Sequence, residues 1–213
     1  MTETDAALRE KLIDAAIAHA PFDGWGDKAL LAAAKDLRID AVLARNAFPA
    51  GAIEMIEFHS VLADRRMMAA YEAEATGELK LREKVALAIR LRLWANIAHR
   101  EAIRRALTIL ALPINAPLAA RLLYRTVDAV WHSVGDRSTD YNFYTKRMLL
   151  SGVYSSTVLF WINDKSADCA ETWAFLDRRI ADVMQIPKAM AKLNKLKEKL
   201  PDPLRVLRRR AAR

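Results

Sequence analysis

Residues 128–147 read DAVWHSVGDRSTDYNFYTKR, and this stretch decides how the rest of the chain is read. Trp131, Tyr141, Phe143 and Tyr144 surround a turn at Gly135 and Asp136 and a polar cluster of Ser138, Thr139 and Asp140. Gly135 suits the left-handed position that closes a helix. Any one of the three polar residues can cap the next helix by accepting from its free N–H groups. A helix corner needs no more chemistry than that. Asn142, Phe143, Tyr144, Lys146 and Arg147 arrive together in the first turns of the following helix, and capping does not explain them.

Outward from this corner the chain reads as helices throughout. Leu8, Leu12, Ala15, Ala16 and His19 form one face of a first helix that Pro21 and the turn at Phe22, Asp23 and Gly24 should close. Residues 28–35 form a second helix and residues 41–48 a third, with a turn at Leu37, Arg38 and Ile39 between them. Pro49 then opens a long helix towards Gly77. Residues 78–110 read as one further long helix, apolar on several sides and therefore central. Asn115 should cap a helix that has Pro117 in its first turn and reaches Ser133. The aromatic block starts the next, and Asp168 with Glu171 resembles a capping box for a helix ending near Ile186. The expected class is all-α, because no stretch sustains strand-like alternation. Three parts are expected: a head of helix-turn-helix type over 1–49, a bundle over 50–186 and a basic amphipathic tail over 187–213.

The corner and its continuation resemble the ubiquinone (coenzyme Q) biosynthesis accessory-protein family, lipid-binding proteins on a TetR-like helical fold. The residues that carry the likeness are Asp128, Trp131, Gly135, Asp136, Ser138, Thr139, Asp140, Asn142, Tyr144, Lys146 and Arg147. Asp164, Ser166, Asp168, Glu171, Thr172, Trp173, Phe175, Leu176, Arg178 and Arg179 continue it in register. The resemblance implies a non-catalytic protein that binds polyprenyl quinone intermediates, or phospholipid, and presents them to a pathway hydroxylase. In the family an aromatic patch contacts a di-iron hydroxylase. Carried over by position, that patch is Val130, Trp131, Phe143 and Tyr144, although Val130 and Phe143 depart from the family's choices. TetR-type pairing implies a homodimer through residues 140–185.

Composition sets outer bounds. Apolar residues make up 53% of 213, enough for a sizeable core, and the mean hydropathy of −0.02 argues against an integral membrane protein. The uncharged run 106–120 contains Pro113 and Pro117 and is shorter than the ~20 residues of a membrane span. Cys169 is the lone cysteine, which excludes an intramolecular disulfide and a cysteine-based zinc site. The opening residues MTETDAALREK resemble neither a signal peptide nor a transit peptide. On that reading the expected location is the bacterial cytoplasm, with peripheral attachment to the inner membrane.

The charge is uneven. Residues 1–64 hold 6 Lys and Arg against 11 Asp and Glu, a balance of −5. Residues 178–213 hold 12 against 3, a balance of +9. A TetR-type, ligand-responsive, DNA-binding regulator is the alternative that the head invites. Its candidate recognition helix carries only Arg45, beside Asp36 and Asp40, so phosphate would meet the wrong sign of charge. His19, His59, His99 and His132 lie on different helices, and the spacing for a zinc or di-iron site is absent. Neither a catalytic constellation nor a cofactor motif is found, and no cofactor or metal is expected.

Two surfaces remain. Leu91, Trp94, Leu122, Leu150, Tyr154 and Phe160 are the candidate lipid-binding residues, read as core from their pattern and as a cavity lining once the resemblance is counted. In the tail, Met190, Leu193, Leu196 and Leu200 recur at helical spacing among Lys188, Lys192 and Lys195. Such a helix suits an anionic membrane surface, bound reversibly.

Overall fold

The computed structural model describes the backbone of residues 3–136 and 142–199, and the side chains of 5–136 and 144–185. Among these residues the chain is all-α, without a strand. The helices are α1 (Glu3–Asp23), α2 (Asp27–Asp36), α3 (Ala41–Ala47), α4 (Ala52–Glu72) and α5 (Leu81–Trp94), then α6 (Arg100–Leu110), α7 (Ala116–Ser133), α8 (Asn142–Trp161) and α9 (Ala170–Lys199).

Helix α1 runs through Pro21 instead of stopping there. The proline lies in the last turn, where its missing N–H costs one bond, and the helix ends at the expected turn, with Gly24 at φ 75°. Asp40 caps α3, accepting from the backbone N–H of Val42 and Leu43 at 2.9 and 3.1 Å.

The helices bury two apolar clusters. One joins α1, α2 and α3 to α4 and α6, through Leu12, Ile13, Leu30, Phe48, Met55, Leu62, Ala102 and Ala106. The other fills the bundle with Met67, Ile89, Val127, Val130, Val153, Trp161 and Leu176. Within the first cluster Trp25 donates Nε1–H to the Ala102 carbonyl at 2.8 Å, tying the head helices to α6.

The long helix expected over 78–110 is two helices. The chain leaves α5 at Trp94, turns through a short 3-10 segment (Ile97–His99) and enters α6. Asn96 stabilises the break: its side-chain amide donates to the Arg92 carbonyl at 2.9 Å, replacing a helical partner lost at the end of α5. The many-sided apolar pattern therefore has a different cause. Val85, Ile89 and Leu93 feed the bundle cluster, whereas Ala102 and Ala106 feed the head cluster.

Two further expectations change at α9. Its start is organised by Asp164, not by Asp168. The Asp164 carboxylate accepts from Ser166 N and Oγ at 2.7 and 2.6 Å and from Thr172 N and Oγ1 at 2.9 and 2.5 Å. Burial works to raise the Asp164 pKa, but the bonds from Ser166 and Thr172 prevail and hold it at about 2. Asp168 sits at φ 51°, outside helical geometry. The helix then passes Pro187 as one element to Lys199, where the sequence suggested an end near Ile186. The strong helix formers beyond the proline sustain it.

Candidate functional site

A cavity of about 360 Å³ opens where α4, α6, α7 and α8 converge on the break between α5 and α6. Most of its wall is aliphatic: Ile56, Leu93, Ile103, Leu107, Leu110, Leu122, Leu123, Val158 and Leu159 all face it. One end is polar, with His59, Ser60, Arg92, Asn96, Thr126 and Tyr154. An apolar chamber with a few convergent polar groups is the usual form of a small-molecule site.

Arg92 organises the polar end. Its Nε–H donates to Asp64 Oδ1 at 2.7 Å, one guanidinium nitrogen donates to the Tyr154 hydroxyl, and the other reaches Ser60 Oγ and Thr126 Oγ1 at 3.2 Å each. Thr126 in turn donates to Asp64 Oδ1 at 2.9 Å. A single guanidinium thus links α4, α5, α7 and α8. Burial works against the Arg92 charge, but Tyr154 and Asp64 outweigh it and hold the pKa above its usual value. The pair is electrically neutral as a unit.

Two neighbours have defined protonation. Burial pushes the Tyr154 phenol above its usual value, with Arg92 pulling the other way, so the phenol keeps its proton at neutral pH. Burial, followed by the Arg92 charge, lowers the His59 pKa to about 4, so its ring is neutral. Asn96 uses its amide nitrogen on Arg92, which assigns its Oδ1 as acceptor from His59 Nε2 at 3.2 Å. The His59 proton is then on Nε2 and Nδ1 keeps a lone pair. The polar end therefore offers hydroxyl donors and a nitrogen acceptor without net charge. That combination suits a neutral, oxygen-bearing ring better than a carboxylate or a phosphate.

Comparison with known proteins places this architecture. A sequence profile described as COQ9 matches residues 116–187. The chain is 34% identical over 191 residues to "Ubiquinone biosynthesis protein COQ9, mitochondrial" of Rattus norvegicus, covering 86% of this chain and 61% of that protein. It is 33% identical over 199 residues to COQ9-B of Xenopus laevis, covering 88% and 66%. The chain belongs to the COQ9 family.

This COQ9-family chain spans about six-tenths of the length of the rat protein and two-thirds of the frog one. Its fold is that of a TetR transcriptional regulator from Nitrosomonas europaea, matched at a TM-score of 0.68 and 24% identity over 84% of this chain and 98% of that one. The relatives also correct the expected location. Those of rat, frog, cow and human are named mitochondrial, against the bacterial cytoplasm inferred from the first residues.

The structure gathers some of the sequence candidates and scatters others. Leu122 and Tyr154 line the cavity. Leu150 is buried in the bundle cluster and Leu91 packs against it. Phe160 stacks on Phe175 at 4.7 Å, and Trp94 is half exposed with its ring 6.4 Å from Trp173. None of these last four lines the chamber. Arg92, His59, Ser60 and Thr126 were missed, because polar residues inside apolar helices give no periodic signal.

The aromatic corner also divides. Val130 and Trp131 are interior residues, 1% and 8% exposed, so they supply no outer surface of this chain. At its position on α7, three residues before Val134, Trp131 turns inward to the bundle cluster while Lys146 Nζ covers its ring at 5.6 Å. Tyr144 points outward, 70% exposed. The Phe143 side chain lies outside the described residues, as do the side chains of Lys188, Met190, Lys192, Leu193, Lys195 and Leu196 and the whole of Leu200. Asp128 is taken up by Arg147, whose guanidinium donates to Oδ1 at 2.6 Å, so its pairing is structural. Among the described residues no group of three metal-ligating side chains comes together.

Proposed function

We propose that this chain serves ubiquinone biosynthesis as a non-catalytic lipid-binding protein that holds a polyprenyl quinone intermediate and presents it to a pathway hydroxylase. The observation that carries the reading is the aliphatic chamber closed by a neutral, hydrogen-bonding end, in a chain whose curated relatives are named for ubiquinone biosynthesis. At about 360 Å³ the chamber lies near the lower bound of ~300–1,000 Å³ for ligand sites. It takes the ring and the first part of an isoprenoid tail, and a longer tail leaves through the mouth. Exposing such a tail to water would cost ~0.8 kcal/mol per methylene, which is the reason for a carrier. Docking on the hydroxylase uses Tyr144 and its outward neighbours on α8, and the tail helix attaches the protein to an anionic membrane. The outer faces of α8 and α9, with Met148 and Met184 exposed, suit a homodimer over 140–185.

The test is mass spectrometry of organic extracts from the purified protein, beside titration with a short-chain ubiquinone and with oleate. The reading expects a bound quinone and preference for the neutral ligand. An extract free of isoprenoid, with no quinone binding on titration, would overturn it.

The regulator reading has the head's shape in its favour but meets an electrostatic obstacle. Arg45, the one basic side chain of α3, is held by Asp27 at 2.9 Å. A duplex would have to displace that partner to gain a phosphate contact.

A further inference from the structure

We propose that the corner between α6 and α7 is a second lipid-contacting element, which dips into an anionic membrane surface and brings the cavity mouth to it. Ile114 is 85% exposed and Leu112 is 52% exposed, side by side around Pro113 at the tip. Residues 97–110 and 113–133 are apolar enough together for a membrane environment, yet they meet at 94°, so the pair forms a wedge and not a span. No single helix among the described residues is long and apolar enough to cross a bilayer.

The charges around the wedge identify what it meets. From residue 102 to residue 127 the chain carries Arg104, Arg105, Arg121 and Arg125 and no carboxylate. Glu101 pairs with Arg104 and Arg105, and Glu57 pairs with Arg121. Four guanidinium groups less these two carboxylates leave a surplus of two positive charges. Arg105 lies five residues before the end of α6, and Arg121 five residues after the start of α7. At ~1.5 Å per residue each stands about 7–8 Å along its helix from the end that meets the corner. An interfacial element buries its apolar part ~5–10 Å below the headgroups, so these arginines reach the headgroup level as Leu112 and Ile114 enter the acyl boundary. A protein partner would need acidic groups placed to match this collar, whereas an anionic bilayer presents them everywhere.

The wedge is continuous with the cavity. Leu107, Leu110 and Ala111 on one arm and Ala119, Leu122 and Leu123 on the other all line the chamber. Insertion of the tip would bring these chamber-lining residues close to the acyl boundary. The corner is separate from the tail helix, and its use for ligand loading rests on the cavity reading above.

The experiment uses the full chain. An environment-sensitive fluorophore on Ile114→Cys should shift to the blue on vesicles of phosphatidylcholine with phosphatidylserine, and much less on phosphatidylcholine alone. Cys169 is buried, so labelling is directed to the new thiol. The control is Phe22→Cys, which is 86% exposed in the head and should not shift. Ile114→Asp should weaken partitioning into the mixed vesicles about tenfold, the equivalent of losing one buried large apolar side chain. Its quinone affinity in detergent solution should be unchanged. An absent shift at position 114, an equal shift at position 22, or a shift caused by protein self-association without vesicles overturns the proposal. Quinone binding without insertion at 114 would overturn the wedge alone, and insertion without quinone binding would overturn the cavity reading alone.

Discussion

Replacing Asp64 by Asn should destabilise the fold and change which amphiphile the cavity prefers. The substitution keeps an oxygen acceptor for Arg92 Nε and Thr126 but removes the negative charge. The pair is tight at 2.7 Å and enclosed, with side-chain exposures of 11% for Arg92 and 8% for Asp64. Breaking a buried ion pair by removing one partner costs ~3–5 kcal/mol, because the other charge stays buried without compensation. Retained hydrogen bonding places Asp64→Asn near the lower bound, about 3 kcal/mol. For a chain of 213 residues that corresponds to a fall in melting temperature of ~6–12 °C. The cavity end would then carry one net positive charge, so affinity for oleate should rise while affinity for a short-chain ubiquinone stays level or falls.

Thermal melts followed by circular dichroism read the first effect, and quenching of tryptophan fluorescence on titration reads the second. The double variant Asp64→Leu with Arg92→Met is the internal check. It removes both charges and should recover much of the lost stability, while the selectivity for a hydrogen-bonding ring disappears. A single variant that melts within ~2 °C of the parent would show that the pair is not enclosed as described. An unchanged ratio of oleate to quinone affinity would show that its neutrality does not set selectivity.

Further outcomes follow from the same contacts. The unfolded His59 pKa of 6.5 exceeds the folded value of about 4, so the unfolded chain binds the proton first. Stability from this group is complete above pH 6.5 and is lost as pH falls towards 4, by at most ~3 kcal/mol, and urea titrations of the parent and His59→Gln across that window should separate the two. Trp131→Ala should cost ~3–5 kcal/mol as a core truncation, while Tyr144→Ala should stay within ~0.5 kcal/mol and lower hydroxylase capture; equal melting temperatures for the two would contradict the placement of Trp131. Ending the chain after Gln185 should leave the melting temperature of the remaining helices unchanged and weaken flotation with anionic liposomes. Flotation of the shortened chain at the parent's level would show that the tail makes no contact.

The helices were legible because most of them advertise one apolar face and end at Gly, Pro or Asp. Asp40, Gly24 and the break at residues 49–51 are local signals, and local signals survive in a sequence. The division of residues 78–110 was not legible, since its cause lies in two separate clusters that each claim part of the helix. Asn96 sits at the break with the aspect of an ordinary surface residue, and only its bonds to Arg92 and His59 reveal its role. The site was half legible for a related reason. Leu122 and Tyr154 stood out as large side chains on bundle helices, but Leu150 and Phe160 have the same appearance and face elsewhere. Arg92 is a charged residue on a largely apolar helix, and nothing in one sequence says that Asp64, 28 residues earlier, will meet it. The aromatic corner misled in the opposite sense. Trp131 and Tyr144 carry the same family signature, and packing separates them: one closes the bundle and the other faces outward.

Helix α4 connects these observations. Its first half packs into the head cluster through Met55, Ile56 and Leu62, while His59 and Ser60 face the cavity and Asp64 holds Arg92. At its head end Glu54 accepts from Arg9, whose guanidinium also lies over Phe48 and Phe58 at 4.6 and 4.7 Å. A ligand that draws on Ser60 or Tyr154 therefore acts on the same helix that positions the head. In a ligand-responsive regulator such a link would carry the signal to a recognition helix. Here it ends at α3, where Arg45 is already engaged by Asp27 and the surrounding residues 1–64 carry a surplus of five negative charges. The mechanical connection of the TetR layout is present without the cationic surface that would use it on DNA. Under the carrier proposal, the same contacts fix the polar end of the cavity against both clusters at once and leave loading and release to the α6–α7 side.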